Sequence, residues 1–307
     1  MLLANRLLKT TMHYNVRHTT IYSYTDPVSL CQNEVHLTPR PTPFQTCTGF
    51  QLEVLPAPMH LRSRMDSFGN QVWYFSLEEP HQELRVTARS RVSVAPRDVP
   101  EVEATPAWED VRDQLCLAET PDLRTISQFC FESHYIRYLK EVRDYASISF
   151  TPRRPLLDAA LDLTSRIYRE FEYAPAATTI STPTHEVMKQ RKGVCQDFAH
   201  LQITAFRCLG LAARYVSGYL VTMPPPGKPK LVGADASHAW LSIYCPGHGW
   251  IDLDPTNDVV PQERHVTIGW GRDYSDICPI KGVLTGGGPQ ILTVSVDVAP
   301  IEISGSS

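Results

Sequence analysis

The sequence predicts an α+β protein in which an antiparallel β domain precedes a core of helices packed on a second antiparallel sheet. Three observations support this prediction. Apolar and polar residues alternate through the N-terminal segments, apolar stripes at helical spacing follow residue 155, and strand patterns return after residue 213. Alternation with a period of two indicates strands, whereas a period near 3.6 indicates helices.

The pattern of the N-terminal segments predicts short strands separated by turns. Alternation is clear over residues 14–24, 50–54 and 84–94, and residues 68–70 carry a Phe-Gly-Asn turn signal. Strands of this kind are typical of antiparallel sheets that bury one face. We therefore expect a β-rich N-terminal domain over residues 1–98.

Helices dominate the predictions for the middle of the chain. Thr120 before Pro121 is a helix start, because proline is favoured in the first helical turn. We interpret residues 99–155 as a helical connector. An amphipathic helix follows Pro155, a short helix begins at Thr182, and a further helix opens at Cys195.

The last region, residues 156–307, is expected to form the core together with the C-terminal strands. Strand patterns occupy residues 214–220, 238–244, 250–253 and 291–298, with a proline-rich turn at residues 224–227. The strands over 238–244 and 250–253 are joined by a short turn, so they are expected to be antiparallel neighbours.

Composition narrows the class of protein. The chain has 307 residues and a net charge of −4, which gives no argument for a nucleic-acid or membrane partner. The first residues lack the long apolar stretch of a secretory signal, so the expected location is the cytoplasm. Eight cysteines are scattered without a CxxC pair, which favours buried thiols over a disulfide framework.

One cysteine stands apart from the others. Cys195 follows a glycine at the predicted start of a helix, a position that favours the thiolate and supplies N–H groups for an oxyanion. His238 starts a strand and Asp254 ends the next one, so the antiparallel pairing brings them together. The three residues then form a nucleophile, a base and a group that orients the base.

These residues resemble the motifs of a known family. Residues 191–201, which read Arg-Lys-Gly-Val-Cys-Gln-Asp-Phe-Ala-His-Leu, resemble the nucleophile motif of bacterial transglutaminase-like proteins. Residues 211–219, 238–240, 254–257 and 271–274 resemble its later motifs, and the segment from Tyr14 is similar to the β-rich region that precedes the core. The resemblance covers nearly the whole chain.

The resemblance implies a papain-like transglutaminase core, in which a helix carrying Cys195 packs on an antiparallel sheet carrying His238 and Asp254. It implies attack on an amide, a thioester intermediate, and transfer to water or to an amine, without a metal or an organic cofactor. The expected partner is a peptide or protein amide substrate. Hydrolysis is narrowly favoured over transfer to an amine, and a binding module that keeps the motif without turnover is a third alternative.

Residues near Cys195 and Asp254 are candidates for further roles. Tyr173 is the better candidate for an oxyanion-hole side chain and Gln190 the weaker, although a plain core tyrosine is the commoner interpretation. Asp252 shares the strand face of Asp254, but only one carboxylate can hold His238, and the Asp-Pro-Thr-Asn motif favours Asp254.

Other side chains near the motifs are given no role in bond making or breaking. Asp197 supports the helix start, His200 lies off the cysteine face, and His248 is exposed in a turn. Trp240 shares the strand face of His238, where it either shields the His238–Asp254 pair from water or packs in the core. Cys195, His238 and Asp254 are also zinc-ligand types. However, their spacing matches no closed structural zinc site, and a helix N-terminus disfavours a cation.

Overall fold

The computed structural model describes residues 10–175, 177–222 and 236–301, and its α+β architecture confirms the predicted fold class. An antiparallel sheet, called the N-terminal sheet below, contains all the described strands before residue 95. These strands are β1 (Met12–Val35), β2 (Gln45–Leu55), β3 (Leu61–Met65), β4 (Gln71–Leu77) and β5 (His81–Val94). The alternation over residues 14–24, 50–54 and 84–94 falls within β1, β2 and β5.

Strand β1 organises the N-terminal sheet, whose order is β2-β5-β1-β4-β3. The first half of β1 pairs with β5, and the register of this pairing shifts between Ser23 and Val28. The second half of β1 pairs with β4. Tyr14 and Val16 are buried on one face of β1, whereas Asn15 and Arg17, which alternate with them, are exposed. This is the pattern that a period of two requires when one sheet face is covered.

Four helices of the connector and the core follow the N-terminal sheet. They are α1 (Trp108–Leu117), α2 (Pro121–Ser127), α3 (Lys140–Ser147) and α4 (Leu156–Glu170). The predicted start of α2 is confirmed, because the Thr120 hydroxyl accepts the Leu123 N–H at 3.2 Å and Pro121 occupies the first turn.

The segment that prepares the site consists of short elements. They are β6 (Glu172–Tyr173), α5 (Thr184–Gln190), β7 (Lys192–Gly193) and α6 (Cys195–Cys208). Strands β6 and β7 form a small parallel pair. Helix α6 is buried along most of its length, so the residue that opens it has a fixed position.

A second antiparallel sheet, called the core sheet below, has the order β10-β9-β8-β11. Its strands are β8 (Ala213–Leu220), β9 (Ala236–Cys245), β10 (Gly249–Leu253) and β11 (His265–Gly271). Ala239, Leu241 and Ile243 of β9 pack in the same apolar cluster as Phe206 of α6. His238 and its alternate neighbours therefore lie on the opposite face of β9. The turn predicted at residues 224–227 lies outside the described residues.

The two C-terminal strands join the N-terminal sheet. Strands β12 (Ile280–Gly286) and β13 (Gln290–Pro300) both pair with β1, although the sequence analysis grouped them with residues 156–307. A period-two pattern identifies a strand without identifying its partner, and β1 is long enough to pair with both. The predicted limits 1–98, 99–155 and 156–307 stay predictions.

No helix in the described part of the chain has the length and apolar character needed to cross a membrane.

Candidate active site

Cys195 is the first residue of α6, and the residues before it are held by β7. Tyr173 of β6 lies opposite Gly193 of β7, and the Ala174 N–H donates to the Gly193 carbonyl at 2.9 Å. A Cβ atom on Gly193 would lie 2.8 Å from the Cβ of Asp197, so a larger residue there would displace the helix start. The position of the half-buried Cys195 side chain is thus fixed by β7 before it and by α6 after it.

Asp197 stabilises the start of α6. Its Oδ2 accepts the Val194 N–H at 2.8 Å and the Thr178 hydroxyl at 2.6 Å. Burial raises the pKa of this carboxyl, and the two hydrogen bonds act in the opposite direction. These contacts fit the predicted structural role of Asp197.

His238 lies between the thiol and a carboxylate. Its Nε2 is 2.7 Å from Oδ2 of Asp254, and its ring also forms a side-chain hydrogen bond with Cys195. Because Nε2 is occupied by Asp254, the ring nitrogen left for the sulfur is Nδ1. The structure therefore brings together the three residues that the sequence predicted.

The surroundings of His238 and Asp254 determine the charge of each side chain. Burial lowers the pKa of His238, but the hydrogen bonds with Asp254 and Cys195 and their negative charges outweigh it and raise the pKa to about 10. Burial raises the pKa of Asp254, but its hydrogen bonds with His238 and His265 dominate and hold it well below the usual range. His238 is thus a positively charged imidazolium at neutral pH, beside an ionised Asp254.

Tyr173 lies beside the nucleophile rather than in the core. Its side chain is 54% exposed, which contradicts the interpretation as a plain core tyrosine. Burial of its hydroxyl raises the pKa of Tyr173, and the nearby charge of Cys195 raises it further. The weaker candidate, Gln190, is exposed at the end of α5.

Asp252 lies on the same strand face as Asp254 but has different partners. Its carboxylate forms an ion pair with Arg97 and accepts hydrogen bonds from the Trp240 Nε1–H, at 2.9 Å, and from the Ser242 hydroxyl. All of these side chains are buried. Asp252 therefore belongs to a structural network.

Within the described residues, neither His200 nor His248 has a hydrogen bond to Cys195. His200 is buried against Tyr135, with ring centroids 5.3 Å apart, and its Nε2 accepts the Tyr274 N–H at 3.2 Å. His248 is exposed in the turn between β9 and β10.

Two further residues at the site were not predicted. Nε2 of His265, at the start of β11, lies 3.1 Å from Oδ2 of Asp254, and the Asn257 amide donates to the same oxygen at 2.7 Å. Asn257 belongs to the Asp-Pro-Thr-Asn motif, so the motif pointed to it. The His265 contact depends on how β11 joins the sheet, for which a single sequence holds no signal.

Among the described residues, His238, Asp254 and His265 form a group that could hold a metal, with ligand atoms within 4.8 Å of one another. The separations of 2.7 and 3.1 Å are those of hydrogen bonds. A zinc ion would need to lie about 2.0–2.2 Å from each ligand atom, and Oδ2 of Asp254 already accepts from three donors. The donor set therefore fits a hydrogen-bonded triad better than a metal centre.

The fold and the site together define an α+β protein in which a helix-borne cysteine meets a histidine and an aspartate carried by an antiparallel sheet. Comparison with known families agrees with this class. Residues 14–93 match the bacterial transglutaminase-like N-terminal region, and residues 146–255 match the transglutaminase-like superfamily core.

Individual relatives extend the match over nearly the whole chain. An uncharacterised protein of Mycobacterium tuberculosis is 42% identical over 303 residues, which cover 96% of this chain and 95% of the relative. A solved structure from Cytophaga hutchinsonii, described as a candidate cysteine protease, aligns with a TM-score of 0.73 at 22% identity, over 97% of this chain and 93% of that one. The chain belongs to the transglutaminase-like superfamily.

One further relative has a named activity. A protein-glutamine gamma-glutamyltransferase of Pseudomonas aeruginosa is 30% identical over 108 residues, which cover 33% of this chain and 16% of that protein.

Proposed function

We propose that the protein is an enzyme that cleaves amide bonds of peptides or proteins through a thioester on Cys195, with water as the usual acceptor. The observation that carries this proposal is the position of His238, hydrogen-bonded to the Cys195 thiol and to the buried Asp254. A nucleophile, a base within reach and an orienting carboxylate are the parts that acyl transfer needs.

The first half of the reaction forms the thioester. The Cys195 sulfur, as thiolate, attacks the amide carbonyl carbon and forms a C–S bond, while the carbonyl oxygen takes up the negative charge. The tetrahedral intermediate collapses, the C–N bond breaks, and the His238 imidazolium gives its proton to the leaving nitrogen. An imidazolium beside the sulfur is suited to this step, because it stabilises the thiolate and then acts as the acid.

The second half releases the acyl group. His238, now neutral, takes a proton from water, and the water oxygen attacks the thioester carbon. The C–S bond breaks, the carboxylic acid leaves, and Cys195 returns as thiolate beside protonated His238. Because Cys195 is only half-buried, water can reach the thioester, which favours hydrolysis.

Oxyanion stabilisation is assigned to backbone N–H groups in the first turn of α6 and to the Tyr173 hydroxyl. Tyr173→Phe is expected to lower kcat by roughly tenfold to a hundredfold with a smaller change in KM, because the lost donor acts on charge that develops in the transition state. Steady-state kinetics on a cleaved peptide measure this. Tyr168→Phe is the control, since Tyr168 on α4 is similarly exposed, and equal kinetics of the two variants would contradict the role of Tyr173.

A second candidate function is transfer of the acyl group to an amine. The partial match to a protein-glutamine gamma-glutamyltransferase favours it, because both activities share the thioester and differ only in the acceptor. The third alternative, a binding module without turnover, predicts neither product.

The test is to incubate the protein with a peptide library, with and without a primary amine, and to identify products by mass spectrometry. Cleaved peptides whose yield is unchanged by the amine are expected. Amine-linked products as the main outcome would favour the transferase, and no Cys195-dependent product of either kind would contradict catalysis. Cys195→Ala run in parallel identifies cleavage by contaminants.

A further inference from the structure

The buried carboxylate of Asp254 is held by more than the catalytic histidine. Its Oδ2 accepts from His238, His265 and Asn257, and its Oδ1 accepts the Thr256 N–H at 3.0 Å. The Asp254 side chain has no exposed area, and His265 is 4% exposed. A second histidine on the orienting carboxylate is not part of the predicted triad.

His265 contacts Asp254 as a neutral donor. Burial lowers the pKa of His265 and this effect exceeds that of the Asp254 charge, which acts in the opposite direction. Because Asp254 can only accept, Nε2 of His265 carries the proton. Within the described part of the chain, Nδ1 of His265 is buried without a hydrogen-bond partner, so a doubly protonated ring would leave an N–H unsatisfied.

The fold brings His265 close to Asp254 although the two are far apart in the order of the core sheet. Asp254 directly follows β10, His265 begins β11, and β9 and β8 lie between these two strands. Gly218 of β8 lies opposite both His238 and Thr267, and the Trp240 indole covers it. A Cβ on Gly218 would lie 2.4 Å from Cη2 of Trp240. The absence of a side chain there lets Trp240 pack edge-on against His265, with ring centroids 5.3 Å apart at 81°.

We propose that His265 is a positioning residue that fixes the Asp254 carboxylate, so that Oδ2 remains directed at Nε2 of His238 throughout the reaction. This inference rests on the proposed function of the Cys195–His238–Asp254 site. Rotation of the carboxylate away from His238 would also break its bond to His265. A buried acceptor that loses donors is destabilised, so each donor opposes that rotation.

The proposal predicts different effects for two polar replacements of His265, because their side chains differ in length. The amide nitrogen of glutamine can occupy the place of the histidine Nε2 and donate to Asp254, whereas asparagine is one methylene shorter and cannot. Besides Asp254, the titratable or charged groups that act on the two histidines within the described residues are Cys195 and Arg97, and neither variant alters them.

The experiment is an NMR titration of the His238 ring in the full chain labelled with ¹⁵N-histidine, the signal being assigned with a His238→Gln variant. In His265→Asn, the His238 pKa is expected to fall from about 10 by at least about one unit, a tenfold weaker hold on the proton. In His265→Gln it is expected to stay within about 0.3 units of the parent value. His265→Leu, which also lacks the donor, should behave like the asparagine variant and provides a second test if that variant unfolds.

An unchanged His238 titration in the folded asparagine or leucine variant overturns the proposal, and so does an equal fall in the glutamine variant. The titration needs no substrate. Failure to find turnover would therefore count against the proposed function, and an unaltered titration would count against the role of His265.

Discussion

Cys195→Ala is expected to abolish amide cleavage, lowering kcat by roughly four or more orders of magnitude, because the thioester cannot form without the sulfur. The measurement is release of a peptide fragment followed by mass spectrometry at high enzyme concentration. Cys116→Ala is the matched control, since Cys116 is an exposed thiol on α1, and it should retain activity. Turnover in Cys195→Ala close to that of the parent would mean that another group is the nucleophile.

The relative reactivity of the cysteines in the parent protein gives a readout that needs no substrate. Limiting iodoacetamide at about pH 6 should label Cys195 before the other cysteines, because the protonated His238 favours its thiolate. Burial raises the pKa of Cys130 to about 12 and that of Cys245 to about 11, so these thiols stay protonated under such conditions. Labelling spread evenly over several cysteines would remove the distinction on which the proposed role of Cys195 depends.

Asp254→Asn is expected to impair turnover and Asp252→Asn to impair stability, although Asp252 and Asp254 lie on the same strand face. Asp254→Asn is expected to lower kcat at least about a hundredfold, because asparagine can neither orient nor stabilise the His238 imidazolium. Asp252→Asn should lower kcat by less than about tenfold, since Asp252 has no hydrogen bond to His238 in the described structure.

The cost of Asp252→Asn should appear in stability instead. Asp252 forms a buried ion pair with Arg97, and breaking such a pair costs about 3–5 kcal/mol of unfolding free energy. Urea unfolding followed by circular dichroism measures this loss, and kinetics on the folded fraction measure turnover. If Asp252→Asn loses turnover and Asp254→Asn is nearly normal, Asp254 is not the orienting residue.

Local patterns predicted the elements of this fold well, because helix starts and strand alternation are written in neighbouring residues. Pro121 marked α2, and alternation marked β1, β2 and β5. The sequence did not identify the partners of the C-terminal strands, since strand pairing is a long-range choice. The exposure of Tyr173 also depended on packing, because the parallel pair of β6 and β7 holds it beside Cys195.

The sequence alone determined the family resemblance, the fold class and the Cys195, His238 and Asp254 set, since motif order and a helix start are local properties of the chain. The sequence favoured Asp254 over Asp252 through the Asp-Pro-Thr-Asn motif, but only the tertiary structure showed the surroundings that separate the two carboxylates. Asp252 and Asp254 share a face, and the surroundings give Arg97 to one and the histidines to the other. It also decided the role of His265, because that side chain reaches Asp254 only after β11 joins β8 and Trp240 packs over Gly218.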